Sequence, residues 1–296
     1  MKSLTFLFVF SCVSVQAQTQ FEATIRGFDA EEVIGYVQPL ANLFGANMNA
    51  GFNHSAALPE NGFHIHIELL GMVSLVREED REYDAILPPG FVPQGGSRKT
   101  ATVFGGRGTT FRDANSGLEY KGTDGILSTQ LFPLLVPQAS IGTLFGTEAV
   151  LRYISTPTLS GGKLPSSTLW GIGLRHNISQ YFGEVPPFDM CVGFLYTSFS
   201  VGEIMEFSGM AMSLQISKSF SLLTLYGGFA SESSSMSLRY TSNAPSSPKL
   251  VDVNLNGANV FRTTMGLLLD LQAIRLYADA NLGFVRHFSG GIGFGF

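Results

Sequence analysis

The sequence runs to 296 residues, 45% of them hydrophobic and only 14% charged, with a formal net charge of −5, a pI near 5.5 and a mean hydropathy of +0.21. Soluble domains average about 25% charged residues; this composition excludes disorder, and the acidic balance lacks the basic field that a nucleic-acid partner requires. So few charges on so apolar a chain direct attention to a membrane.

The first residues read as an export signal. Lys2, the apolar run Leu4 to Phe10 and the small-residue pattern Val15-Gln16-Ala17 before Gln18 assign 1–17 to a cleavable secretory peptide. The run is too short for a spanning helix, which needs about 20 apolar residues. A lipoprotein signal ending at Cys12 is the alternative. Cleavage leaves Cys191 as the one cysteine of the mature chain, so no internal disulfide is available and stability must come from a large sheet or core.

Residues 18–46 form a separate N-terminal segment. Between Phe28 and Phe44, the positions Val33, Tyr36, Val37, Leu40, Leu43 and Phe44 follow the spacing of an amphipathic helix. Asp29 and Glu32 stand at N-cap and N3 as a capping-box analogue, and Pro39 is expected to kink or divide the helix.

From there to residue 296 the period changes to two. Phe63, Ile65, Ile67 and Leu69 alternate with His64, His66 and Glu68; Trp170, Ile172 and Leu174 with glycines and Arg175; Met210, Met212, Leu214 and Ile216 with Ala211, Ser213, Gln215 and Ser217. The same holds for Ala149 to Tyr153, Met190 to Tyr196, Leu223 to Phe229, Phe261 to Leu269, Leu276 to Phe284 and Phe288 to Phe296. One parity is bulky and apolar. The other is mostly Gly, Ser, Thr and Asn, and it carries the charges Glu68, Glu148, Arg152, Arg175, Asp189, Arg262, Asp270, Arg275 and Asp279. His176 and Arg286 sit on the apolar parity at strand ends.

A soluble sandwich or lipocalin-like barrel also alternates, but its polar face meets bulk water and is rich in Lys and Glu. A Gly- and Ser-rich face suits a closed interior, and the apolar face would be an oversized exposed patch unless lipid covers it. The expected fold is therefore all-β, a transmembrane antiparallel β-barrel of residues 47–296 in the outer membrane of a Gram-negative bacterium. Ten strands are visible, beginning near residues 63, 134, 147, 168, 188, 204, 220, 258, 273 and 287. A further hairpin near Thr100 to Phe104, inside the Gly-, Pro- and charge-rich stretch Arg77 to Pro133, makes the expected number about twelve, within ten to fourteen. Tight links at Ser217 to Phe220 and Leu271 to Ala273 are assigned to the periplasmic rim, and the long links Ser155 to Ser167 and Ser231 to Gly257 to the outside. The helical segment can plug the lumen, lie on the membrane or pack below the mouth; the small inward side chains favour a plug.

The chemical motifs are sparse. His64, His66 and Glu68 share one strand face at a spacing of about 6–7 Å per step, which can ligate zinc. No second Cys/His cluster supplies further ligands, so ordinary polar lumen residues are expected, without metal or other cofactor. His54 and His176 stand isolated in the sequence. Gly105-Gly106-Arg107-Gly108 lacks the Lys-Ser/Thr of a phosphate loop, no Gly-x-Ser-x-Gly elbow occurs, and no enzymatic activity is expected. The mixed-sign inward charges point to ion pairs bracing strands and plug, with a selective pore lining as the alternative.

The terminal alternation Gly291-Ile292-Gly293-Phe294-Gly295-Phe296, ending on an aromatic residue, resembles the signal by which outer-membrane barrels are recognised by their assembly machinery, with Phe294 and Phe296 as its aromatic positions. The whole mature chain resembles a family of uncharacterised bacterial outer-membrane barrels. The resemblance rests on Tyr36-Val37-Gln38-Pro39-Leu40, Gly62-Phe63, Thr102-Val103-Phe104-Gly105 and Gly171-Ile172-Gly173-Leu174-Arg175-His176-Asn177 followed by Tyr181. These are similar in layout to the long-chain fatty acid transporter barrels, where an N-terminal hatch plugs the lumen. That resemblance implies passive uptake of a small or hydrophobic solute, with outer-membrane lipid and the assembly machinery as partners; a non-conducting structural or assembly component is the alternative.

Overall fold

The computed structural model describes residues 20–157, 166–182, 187–243 and 250–295; the expected export signal at 1–17 and the terminal Phe296 lie outside them. A helix, α1, spans Ala30–Asn49. Asp29 caps it, its carboxylate accepting from the backbone N–H of Glu31 at 3.1 Å and of Glu32 at 2.9 Å. The reciprocal half of the expected capping box is absent, because Glu32 instead accepts from the Tyr120 hydroxyl at 3.0 Å. Pro39 does not divide α1, which runs on past Phe44 to Asn49.

The wall begins at β1 (Asn61–Leu75) and continues with β6 (Leu131–Leu144), β7 (Thr147–Thr156), β8 (Ser167–Asn177), β9 (Asp189–Val201), β10 (Met205–Phe220), β11 (Leu223–Thr241), β13 (Phe261–Asp270), β14 (Ile274–Leu282) and β15 (His287–Gly295). Each pairs antiparallel with the next, and β15 returns to β1, so ten strands close a ring. β12 (Leu250–Asn256) is an eleventh strand that pairs only with the far half of β11, from Ser235 to Thr241. The number is thus ten in the ring, not about twelve. The stretch expected to hide another hairpin holds two three-residue ribbons, β2 (Glu82–Asp84) with β3 (Lys99–Ala101) and β4 (Thr110–Arg112) with β5 (Glu119–Lys121). They are far shorter than the roughly 9–11 residues a spanning strand needs. Val103 and Phe104 beside them are buried in the cluster around α1 instead of facing out.

Most links at one rim are short. Phe145 (φ 53°) and Gly146 (φ 67°) join β6 to β7 with both residues left-handed, as a two-residue type I′ hairpin demands. Pairing of Phe220 with Leu223 moves the expected tight turn at 217–220 along to Ser221 and Leu222. The opposite rim carries the long segment 76–130 and the crossing that contains β12, together with short links at 202–204 and 283–286. Most of the link predicted at Ser231 to Gly257 is therefore strand: β11 and β12 extend beyond the ring as a ribbon.

Side chains alternate across most of the wall. Met212, Phe229 and Phe261 are 57%, 55% and 56% exposed, whereas Ala211, Ala230 and Arg262 one residue away are buried. α1 packs on the outlying β12 and enters the ring against β1, β6, β9, β10 and β11, and every residue from Pro39 to Asn49 is buried. Small residues make this possible. A Cβ on Gly45 of α1 would stand 2.1 Å from Ser234 Oγ, and one on Gly209 would stand 2.6 Å from Asn49 Oδ1. A Gly45→Val substitution is accordingly expected to lower stability by about 1–3 kcal/mol through overpacking, read from the denaturation midpoint of the refolded protein, and a companion Ser234→Gly substitution to recover part of that loss.

Candidate functional site

The interior is organised along α1 and the chain that follows it. Around the first turns the contacts are apolar: Val33, Tyr36, Val37 and Leu40 pack with Val103, Phe104, Leu238 and Tyr240. The Phe44 ring lies 4.4 Å from Phe207 and 4.9 Å from Phe199, centroid to centroid. At the mouth, burial raises the Glu32 carboxyl above its ordinary value, which the Tyr120 hydrogen bond partly offsets; Tyr120 is itself pushed up to about 12 by burial and by the Glu32 charge. The Tyr36 hydroxyl donates to the Asp124 carbonyl at 3.0 Å, tying α1 to the long segment 76–130.

Polar chemistry takes over where the helix ends. The last carbonyls of a helix have no partner within it, and its C-terminus carries a partial negative charge. No basic residue stands in the last turn of α1. The wall supplies the cations. Arg152, midway along β7 and 1% exposed, donates to the Met48 carbonyl at 2.9 Å, the Ala50 carbonyl at 2.6 Å and Gln138 Oε1 at 2.8 Å. Arg262 of β13 reaches the Asn49 carbonyl at 3.3 Å, and its Nε lies 2.8 Å from the Glu232 carboxylate as an ion pair without hydrogen-bond alignment. Asn47 adds a donor to the Phe132 carbonyl at 2.9 Å while its own oxygen accepts from Ser74 at 2.7 Å.

Farther along, the chain from Gly51 to Glu60 is held in the same way. Arg175 donates to the Ser55 carbonyl and, at 2.7 Å, to Glu148 Oε1. Asn177 donates to the Leu58 carbonyl at 2.8 Å, and the Ala56 N–H donates to Ser217 Oγ at 2.9 Å. His54 is not isolated: its ring stacks on Tyr277 with centroids 3.5 Å apart, and Nε2 lies 3.3 Å from Glu68 Oε2. Gln138 bridges Glu68 at 3.0 Å to Arg152. His176 likewise has partners, Thr147 at 2.8 Å and Tyr181 at 2.9 Å. Between Phe52, Gln215, Arg262 and Asn281 a cavity of about 20 Å³ remains, room for a single water.

The candidate lumen residues therefore separate by depth. Glu68, Glu148, Arg152, Arg175, Arg262 and Asp279 are buried inside the ring, Asp279 accepting from the Tyr226 hydroxyl at 2.9 Å. His64 and His66 are half-buried nearer the short-turn rim, where Arg275 and Asp270 approach to 3.5 Å and Asp189 opens β9. His64 Nε2 lies 2.9 Å from Glu148 Oε2, and His64, His66 and Glu148 each offer a ligand atom, all within 4.8 Å of one another. The third member of this cluster is thus Glu148 of β7, not Glu68 of the same strand. Phe294 faces outward. Glu232, absent from the sequence-based set, lies on the inward parity of β11 that Thr224, Tyr226 and Ala230 define, so extending the alternation past Phe229 finds it.

Replacing Arg152 by Leu removes the partner of two buried carbonyls and of Gln138. At about 1–3 kcal/mol for each unsatisfied group, the expected loss is about 2–5 kcal/mol, measured by equilibrium unfolding, with Arg152→Lys intermediate.

Several solved barrels are similar to this chain at low identity. The attachment invasion locus protein Ail of Yersinia pestis is 9% identical over 80% of this chain and 100% of its own, with a TM-score of 0.24. The toluene transporter TodX of Pseudomonas putida is 13% identical over 88% and 71%, with a TM-score of 0.28. A FadL homologue of Pseudomonas aeruginosa is 10% identical over 89% and 96%, with a TM-score of 0.18. Likeness this distant carries no function across. No curated protein matches the sequence. The family of unknown function DUF6588 matches residues 1–296, and the chain belongs to that family.

Proposed function

We propose that this protein is an integral β-barrel of a Gram-negative outer membrane, closed at rest by its own N-terminal segment, and that it passes a small or hydrophobic solute when that segment yields. The observation that carries the reading is one wall with two opposite faces. Outside, Ile172, Met212, Phe229, Met265, Leu282 and Phe288 are exposed in a ring whose backbone is paired all the way round. Water makes such a belt costly and hydrocarbon does not, and a closed ring leaves no strand edge unsatisfied in lipid. Inside, residues 40–58 fill the space, and buried arginines hold the backbone carbonyls of Met48, Asn49, Ala50 and Ser55.

Short turns at the periplasmic rim and longer crossings outside are the usual arrangement of such barrels, which puts the start of α1 and the segment 76–130 on the outer side. Phe44, Phe104, Phe199 and Phe207 pack together below that opening and would be the first surface met by a solute once the segment yields, a surface suited to an apolar molecule. The charged groups deeper in are paired with one another and with the segment, which argues against a ring that selects hydrated ions. Phe294, outward on the last strand, fits a signal read by the assembly machinery in the lipid phase.

The second reading, a non-conducting structural or assembly component, is favoured by one observation: Arg152, Arg175 and Arg262 all hold backbone carbonyls of residues 48–55, so displacing the segment breaks several buried contacts together.

In planar bilayers the wild-type protein is expected to be silent and Arg152→Ala to show openings, whereas silence of both proteins would leave the structural reading. Independently, Met212→Arg is expected to cost about 2–4 kcal/mol of folding free energy in lipid vesicles, whereas the same change at the rim residue Phe220 costs about 1 kcal/mol or less.

A further inference from the structure

We propose that His64, His66 and Glu148 form a binding site for one zinc ion on the inner wall near the short-turn rim. Strand geometry brings the three together. His64 and His66 are successive inward positions of β1, and their rings lie 4.8 Å apart, centroid to centroid. His64 pairs with Gly142 of β6, and Gly142 pairs with Glu148 of β7, so the register carries the carboxylate two strands across to the imidazoles.

The surroundings are shaped for the two rings. A Cβ on Gly142 would stand 2.5 Å from the His64 ring, and one on Gly295 would stand 2.5 Å from the His66 ring. Glycine at both places lets the imidazoles lie against the wall. Arg175 holds Glu148 Oε1 at 2.7 Å and leaves Oε2 turned toward His64 at 2.9 Å. Such an outer partner fixes the orientation of a ligating carboxylate. His66 Nδ1 is buried and has no hydrogen-bond partner among the described residues, a state that calls for a ligand or another explanation.

Two imidazoles and one carboxylate are a zinc donor set that keeps one position open, and imidazole favours zinc over magnesium or calcium. Ligands about 2.0–2.1 Å from a tetrahedral ion stand about 3.3 Å apart. The His64–Glu148 separation is already close to that, and rotation of His66 over Gly295 closes the remainder. The neighbouring charges are of mixed sign. Arg175 shares Glu148 with the site, Arg275 is a nearby cation held 3.5 Å from Asp270, and Glu68 adds a negative charge at the next inward position of β1.

The test uses tag-free, refolded full-length protein titrated with zinc chloride by calorimetry, with cobalt as a spectroscopic substitute. One equivalent of zinc and the visible absorption of tetrahedral cobalt are expected for wild type, with at least a tenfold loss of affinity in His66→Ala and no stoichiometric binding in the His64→Ala, His66→Ala double variant. Failure of wild type to bind one equivalent, or binding unchanged in the double variant, overturns the proposal. Should the variants not fold, zinc protection of His64 and His66 from diethylpyrocarbonate in the wild type decides: protection of both supports the site, and equal modification with and without zinc refutes it.

Discussion

Non-helical backbone runs through the middle of a barrel here, and that fact sets the terms for the rest of the interior. A buried carbonyl without a donor costs about 1–3 kcal/mol, and α1 ends inside the ring with several of them. Arg152 from β7, Arg262 from β13 and Arg175 from β8 converge on the carbonyls of Met48, Asn49, Ala50 and Ser55 from different sides of the wall. Each guanidinium also needs neutralising company, which Glu148 and Glu232 supply directly and Glu68 supplies through Gln138. The deeper inward charges, Glu68, Glu148, Arg152, Arg175, Glu232 and Arg262, are therefore one set centred on the N-terminal segment. This is why mixed signs occur together: a ring of one sign would leave either the carbonyls or the arginines uncompensated.

The outer wall follows a simpler rule. With the interior occupied by the chain's own residues, many inward positions are small or specifically polar, the larger ones such as Leu70, Met72 and Leu169 being buried in the packing, and Gly45 against Ser234 or Gly209 against Asn49 shows how little room is left. Bulk is displaced to the outward parity, where Phe, Leu, Ile and Met accumulate. One occupant of the lumen thus explains both the glycine and serine content of one face and the apolar weight of the other.

Much of this was legible in the sequence. Alternation at Phe63 to Leu69 or Met210 to Ser217 marks strands and faces together, since bulk and polarity change at every residue. The ten visible starts correspond to the ten strands of the ring. The extra hairpin is absent because the apolar side chains of Val103 and Phe104 pack on α1 instead of facing out. The end of α1 has no amphipathic mark because after Phe44 every face is buried, and Asn47 and Asn49 bond to strands. His54 could not be paired with Glu68 and Tyr277, nor Glu148 with the two histidines, because those contacts depend on register across several strands and on the path of residues 50–60. Register shifts near Asn61/His64 and Gly142/Leu144 lie beside that cluster, and no local pattern announces them.

Hydrogen exchange read by mass spectrometry tests most directly whether residues 40–58 reside in the lumen. In detergent-solubilised protein, peptides covering this segment are expected to exchange as slowly as those of β11 and far more slowly than those of 76–130. Complete exchange of 40–58 within seconds, while the wall strands stay protected, would contradict the account.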